Sequence, residues 1–150
     1  MRLFLVHHGD AVGPDVDPRR PLSEQGREHV ATLASEAAAR GARPDVVWHS
    51  GKLRARQTAE AFWRACNALA AFSATRDLQP EDPPEWIRER LRAETRDILI
   101  AGHYPHLPRL FTILTAPEAR PSFPQHGVVA MQTDDEGKTW KEIWRLEDRG

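Results

Sequence analysis

The sequence predicts an α/β protein, a three-layer α/β/α sandwich whose central sheet is largely parallel and ends in a C-terminal antiparallel hairpin. Three observations carry this. Short apolar runs of strand length, at residues 3–6, 45–49 and 98–101, alternate with segments of helical periodicity. Each run ends in a cluster containing His and Gly, the punctuation of a strand-to-helix turn. Residues 128–133 and 139–146 flank the turn-forming stretch 134–138, a hairpin signal.

The 150 residues suit one domain, and neither a repeat nor an internal boundary divides them, so a single domain over 1–150 is expected. A composition of 40% hydrophobic and 29% charged residues is that of a globular chain, not a disordered one. Cys66 is the only cysteine, which excludes an intramolecular disulfide and a cysteine-based zinc site. A net charge of −1 gives no field for nucleic-acid binding. No apolar stretch approaches the roughly 20 residues of a membrane helix, and the opening residues run straight into polar ones, unlike a signal peptide. The expectation is a cytoplasmic protein with neither a membrane nor a nucleic-acid partner.

Taken in order, residues 3–6 read as a buried strand that runs into His7-His8-Gly9-Asp10. Gly13, Pro14, Pro18 and Pro21 mark a loop. Ser23 is placed to N-cap a helix reaching Arg40, stopped by Gly41, with Val30, Leu33, Ala34, Ala37 and Ala38 as its apolar stripe. Residues 45–49 form a second strand. The helix predicted over 53–69 puts Ala55, Ala59, Phe62, Cys66 and Leu69 on one face, which makes Cys66 a core residue. A short strand at 71–75, an acidic Pro-rich loop at 79–84 and a charged helix to about Glu94 follow. Residues 98–101 are the clearest buried strand, ending in Gly102-His103-Tyr104-Pro105. Pro105 suits the first turn of a helix with Leu107, Leu110, Phe111 and Leu114 inward. A Pro-rich loop at 116–126 leads to the hairpin. Trp86, Trp140 and Trp144 are expected as partly buried packing residues.

Three strand-to-helix junctions carry His7-His8-Gly9, Arg54 and Gly102-His103. In an open α/β sheet the carboxyl ends of the strands line the ligand crevice, so these residues are expected to converge there. The set suits phosphate. Arginine offers a permanent charge and paired donors, a helix N-terminus adds backbone N–H groups, and a neutral imidazole can attack phosphorus. His8 is the better nucleophile because Gly9 beside it permits close backbone approach and unusual dihedrals. His29 reads as an exposed helix residue, and His49 and His126 as loop-edge residues. His106 lies three residues beyond His103, where packing and pocket-lining are alternatives. A metal site built from His7, His8, His103 and His106 is the competing chemistry. Adjacent strand residues project to opposite sides, and Arg54 would repel a cation, so no metal is expected.

Leu3-Phe4-Leu5-Val6-His7-His8-Gly9-Asp10-Ala11 resembles the first motif of the histidine phosphatase superfamily. Residues 50–60, Ser-Gly-Lys-Leu-Arg-Ala-Arg-Gln-Thr-Ala-Glu, resemble its second motif, and residues 100–105 its third. Residues 21–26 match the start of the helix after the first loop. The short chain and Phe123-Pro124 most resemble the SixA-type phosphohistidine phosphatases. The resemblance implies a phosphoglycerate mutase-like fold and a metal-independent phosphatase with no organic cofactor. It implies that His8 accepts phosphate, that Arg54 holds it, and that His103 binds and polarises it. The implied substrate is phosphohistidine in a partner protein, or a small phosphate ester.

One residue departs from the pattern: the family's first motif is Arg-His-Gly, and His7 stands where that arginine belongs. Histidine replaces a permanent fork of donors with one donor per ring nitrogen, a change worth on the order of 10²–10³ in rate where the contact tightens in the transition state. The alternative reading is therefore a phosphate-binding, catalytically weak or inactive homologue with a regulatory or binding role. Arg56 is a candidate to swing in as a substitute. The general acid is sought in Asp17, then Glu81 or Asp82, although a labile phosphoramidate such as phosphohistidine asks less of an acid. No long insertion follows the second or third motif, which suggests an open pocket suited to a phosphorylated protein.

Overall fold

The computed structural model describes residues 1–115 and 122–147. Strands and helices alternate as β1 (Arg2–His7), α1 (Glu24–Ala39), β2 (Val46–His49), α2 (Leu53–Cys66), β3 (Ala71–Ala74), α3 (Pro84–Arg92), β4 (Ile98–Gly102) and α4 (His106–Leu114). The hairpin strands β5 (Val128–Gln132) and β6 (Lys141–Leu146) complete them. The sheet order is β3-β2-β4-β1-β5-β6. β3, β2, β4 and β1 pair in parallel, and β5 runs against both β1 and β6.

Successive residues of a strand face opposite sides, and here both sides are covered. Phe4, Val6, Val47 and Leu99 meet Val30, Leu33 and Ala37 of α1 and Ala59, Phe62 and Cys66 of α2. Leu3, Leu5, Ile98 and Ile100 meet Ile87 and Leu91 of α3 and Leu107, Leu110 and Phe111 of α4. That is the expected sandwich, with Cys66 in its core. β5 does not alternate in burial, because it lies inside the sheet between β1 and β6.

Local chemistry sets the ends. Ser23 caps α1 by accepting the Gly26 N–H at 3.0 Å, and Gly41 leaves the helix at φ +87°. α2 stops at Cys66, earlier than the sequence predicts. Asn67 turns out of the helix with φ −167°, donates to the Pro44 carbonyl, and leaves Leu69 90% exposed instead of on the core face. Pro105 caps α4 from outside, and His106 is the first helical residue. Trp140 is buried and Trp144 packs beside Phe4, but Trp86 is half-exposed on α3. Of the Pro-rich loop at 116–126, residues 116–121 lie outside the described residues.

Two features of the fold position the site. The registers His7↔Gly102 and His49↔Ala101 bring the carboxyl ends of β1, β4 and β2 level. The β1–α1 junction is drawn tight by two glycines. A Cβ on Gly9 would lie 2.5 Å from Val30 Cγ2, and one on Gly26 would strike the Asp10 carbonyl. Gly9 thus serves close approach only; its φ is not among the positive ones.

Candidate active site

His8 follows the last residue of β1, and its N–H donates to the Gly102 carbonyl at 3.1 Å, tying the first motif to the third. Its ring Nδ1 lies 2.8 Å from the Gly9 carbonyl. A carbonyl only accepts, so the proton sits on Nδ1 and Nε2 keeps its lone pair. Burial lowers the His8 pKa to about 4; the bond to Gly9 opposes the shift and the Arg54 guanidinium adds to it. At neutral pH the side chain is an uncharged imidazole with a free nucleophilic nitrogen.

His103 is 1% exposed, and its ring centroid lies 5.1 Å from that of His8. Burial, then the neighbouring His8 and Arg54, push its pKa to about 3. Its Nε2 is 2.6 Å from Ser50 Oγ, and that oxygen accepts the Lys52 N–H at 3.3 Å. His103 Nδ1 and Arg54 Nε are both buried and find no hydrogen-bond partner among the described residues. With the Ser50 hydroxyl donating to His103 Nε2, the neutral ring carries its proton on Nδ1, and the two orphaned donors beside His8 suit an anion, because an unpaired buried polar atom costs roughly 1–3 kcal/mol.

Arg54 stands in the first turn of α2. Its carbonyl accepts the Thr58 hydroxyl at 2.8 Å, and Thr58 Oγ1 in turn accepts the Gly9 N–H at 3.0 Å. One buried threonine therefore locks the arginine's turn to the His8–Gly9 loop. Gln57 does the same for the first loop, accepting the Leu22 N–H at 2.7 Å. These bonds explain the Gln-Thr pair after the second-motif arginines.

His7 is 5% exposed and lies between two rings, Tyr104 at 4.3 Å and His126 at 4.9 Å, the latter within 9° of parallel. The backbone N–H of His126 donates to His7 Nδ1 at 2.8 Å. In the neutral ring the proton is then on Nε2, which leaves one uncharged donor where a guanidinium would offer several. Burial first, then the charges of His8 and His126, lower the His7 pKa to about 2.

Two residues near this site were not expected there. His126 donates from Nδ1 to the His8 carbonyl at 2.7 Å and holds a positive φ of 53°. Arg20, at φ 49°, donates from Nε to the Val12 carbonyl, and its charge lowers the pKa of both Arg54 and His8. The tandem Arg19-Arg20 before Pro21 is a sequence signal for the second. No local signal marks the first, which the chain delivers from 118 residues beyond His8.

Other candidates are placed elsewhere. The Asp17 carboxylate accepts the Arg19 N–H at 2.9 Å and pairs with its guanidinium, bonds that lower its pKa and make it a poor proton donor. Glu81 is exposed and lies 3.6 Å from Arg109. Asp82 accepts the Gln79 N–H. Arg56 does not turn inward: it is exposed and bonds Glu60 at 3.0 Å. His49 is a buried strand residue, with Nδ1 accepting the Gly51 N–H and its ring on Phe72. His106 is fully buried at the start of α4, where burial lowers its pKa and Asp82 and Asp77 oppose the shift. His29 is half-buried on α1 and lines a groove of about 570 Å³ that it shares with His126.

One ring nitrogen from each of His7, His8 and His126 lies within 4.8 Å of the others. The expectation that His7 and His8 diverge fails because β1 ends at His7, so His8 no longer follows the pleat and the two rings lie 4.5 Å apart. This cluster is still a poor metal centre. His7 Nδ1 is an acceptor already in use, its Nε2 carries the proton, and Arg54 stands close enough to lower the pKa of both His7 and His8.

The model of the histidine phosphatase superfamily (branch 1) matches residues 3–86. The solved structure of the protein histidine phosphatase SixA complexed with tungstate is similar over 98% of this chain and 97% of its own, with a TM-score of 0.86 at 24% identity. A candidate phosphohistidine phosphatase SixA from Agrobacterium tumefaciens is similar over the same shares, with a TM-score of 0.80 at 24% identity. YhfR from Bacillus stearothermophilus covers 95% of both chains, with a TM-score of 0.71 at 18% identity. No curated protein sequence matches. The chain belongs to the histidine phosphatase superfamily, has its phosphoglycerate mutase-like fold, and is a hydrolase of phosphatase type.

Proposed function

We propose that this member of the superfamily is a metal-independent phosphatase that moves a phosphoryl group from phosphohistidine of a partner protein to His8, and then to water, in the cytoplasm. The observation that carries the reading is the His8 tautomer. With Nδ1–H held by the Gly9 carbonyl, the lone pair of Nε2 is free in a half-buried, neutral ring beside Arg54 and His103. Nε2 attacks phosphorus, and the bond from phosphorus to the substrate's nitrogen or oxygen breaks. Water then attacks the phospho-His8 intermediate, the P–Nε2 bond breaks, and phosphate leaves. Arg54, His103 and the Nε2–H of His7 are the groups placed to bind the phosphoryl oxygens, with Arg54 the permanent charge among them.

The partner-protein substrate is supported by the likeness to a protein histidine phosphatase solved with tungstate, a phosphate-shaped anion. The test is phosphate release from a phosphohistidine protein in EDTA. Release should persist with the chelator and fall at least ~10³-fold in His8→Ala. A specific observation favours a second reading, a phosphate-binding protein with little turnover: position 7 offers one neutral donor. Tungstate binding without turnover of phosphohistidine or of phosphate esters would select it.

A further inference from the structure

We propose that His126 is a catalytic residue of this site, the group that gives a proton to the leaving atom and takes one from the attacking water. The inference rests on the phosphatase reading above. Four observations place it there. A His126 ring nitrogen lies within 4.8 Å of one on His8, and the two ring centroids are 6.1 Å apart, so the His126 ring borders the ring of the nucleophile. Its Nδ1–H is held by the His8 carbonyl at 2.7 Å, which fixes the ring and leaves Nε2 as the edge that exchanges protons. Its backbone sits at φ 53°, a conformation that costs a non-glycine residue energy and is kept where the surroundings impose it. It also lines a groove of about 570 Å³ together with Asp10, Glu28, His29, Glu36 and Glu147. The carboxylates tested for the acid role on sequence grounds are engaged elsewhere, Asp17 with Arg19 and Glu81 with Arg109.

The departure at position 7 fits this role. The two rings stack at 4.9 Å, a distance at which a guanidinium at position 7 would repel an imidazolium at 126. A neutral His7 removes that repulsion.

The steps balance. Imidazolium His126 donates the Nε2 proton to the substrate's leaving nitrogen or oxygen as His8 Nε2 bonds to phosphorus. Neutral His126 then takes a proton from the water that attacks phospho-His8. Phosphate departs, and both histidines return to their starting states.

The test compares single-turnover phosphorylation of His8 by phenyl phosphate and by 2,4-dinitrophenyl phosphate, whose leaving group needs no proton. His126→Asn is the variant, because asparagine tolerates positive φ and can still donate to the His8 carbonyl but cannot relay a proton. We expect a loss of about 10²-fold or more with the phenyl ester and less than about 5-fold with the dinitrophenyl ester, with the melting temperature little changed. The alkaline limb of the phenyl-ester rate profile should vanish in the variant. Equal losses on both esters, or none on either, overturn the proton-relay role while leaving the phosphatase reading intact. A wild-type protein inert towards both esters and phosphohistidine overturns the phosphatase reading, and this one with it.

Discussion

The two sides of the pocket are built on different electrostatic principles. On the α2 side, Arg54 carries a permanent charge, and its turn is locked to the His8–Gly9 loop through Thr58. On the β5 side stand His7 and His126, stacked rings whose tautomers are set by backbone atoms: the His126 N–H on one and the His8 carbonyl on the other. One side binds charge at any pH. The other gains charge only by taking a proton. A phosphate site can therefore lose a guanidinium without losing all of its positive potential, provided the replacement can be protonated when substrate is present.

Substitutions break that comparison one side at a time. Arg54→Ala should cost the most after His8→Ala, about 10²–10³-fold in kcat, with tungstate affinity falling in parallel in a binding titration. His7→Arg sharpens the contrast. Restoring the family residue would be expected to help if the loss were local. Here the new side chain removes the acceptor for the His126 N–H and sets a fixed charge against the His126 ring, so the rate should fall about 10-fold instead of rising. A rise above wild type in the same kinetic assay would break the account of the β5 side. Thr58→Val removes the acceptor for the Gly9 N–H and should lower stability by roughly 1–3 kcal/mol in a urea melt, with a smaller loss of kcat from the loosened turn.

A further effect is on pH dependence. His7 and His103 stay neutral in the folded protein down to about pH 2 and 3, whereas the unfolded chain takes up protons as pH falls below about 6.5. Their contribution to stability is thus complete above about pH 6.5 and is lost progressively as pH falls towards the folded values. The melting temperature should drop by on the order of 3–5 °C per pH unit for each such histidine below pH 6. Tungstate should reduce the drop, because a bound anion favours the protonated rings. A melting temperature flat from pH 7 to pH 5 would contradict the buried neutral state.

Much of this molecule was legible in its sequence where the cause is local. Ser23 caps α1 because its hydroxyl oxygen accepts the N–H three residues on in the same chain segment, and the Ile98 strand is apolar because both its faces are covered. The site residues His8, Arg54 and His103 follow from strand order, since parallel neighbours present their carboxyl ends together. What sequence spacing could not reveal is long-range. His126 reaches His7 and His8 only because β5 pairs antiparallel with β1, which brings its first turn level with the end of β1. Leu69 was misplaced because Asn67 finds the Pro44 carbonyl, a partner 23 residues away, and leaves the helix to reach it. Arg20 is turned towards the site by a left-handed backbone conformation that its sequence neighbours do not announce.

The account depends most directly on the nucleophile. Brief incubation with a phosphohistidine protein, acid-free quenching and mass spectrometry of the digested chain would locate the transferred phosphate. The account predicts a single acid-labile phosphate on the peptide containing His8, formed in EDTA and missing in His8→Ala. Turnover that continues in His8→Ala, or a phosphate carried on any other residue, would contradict it.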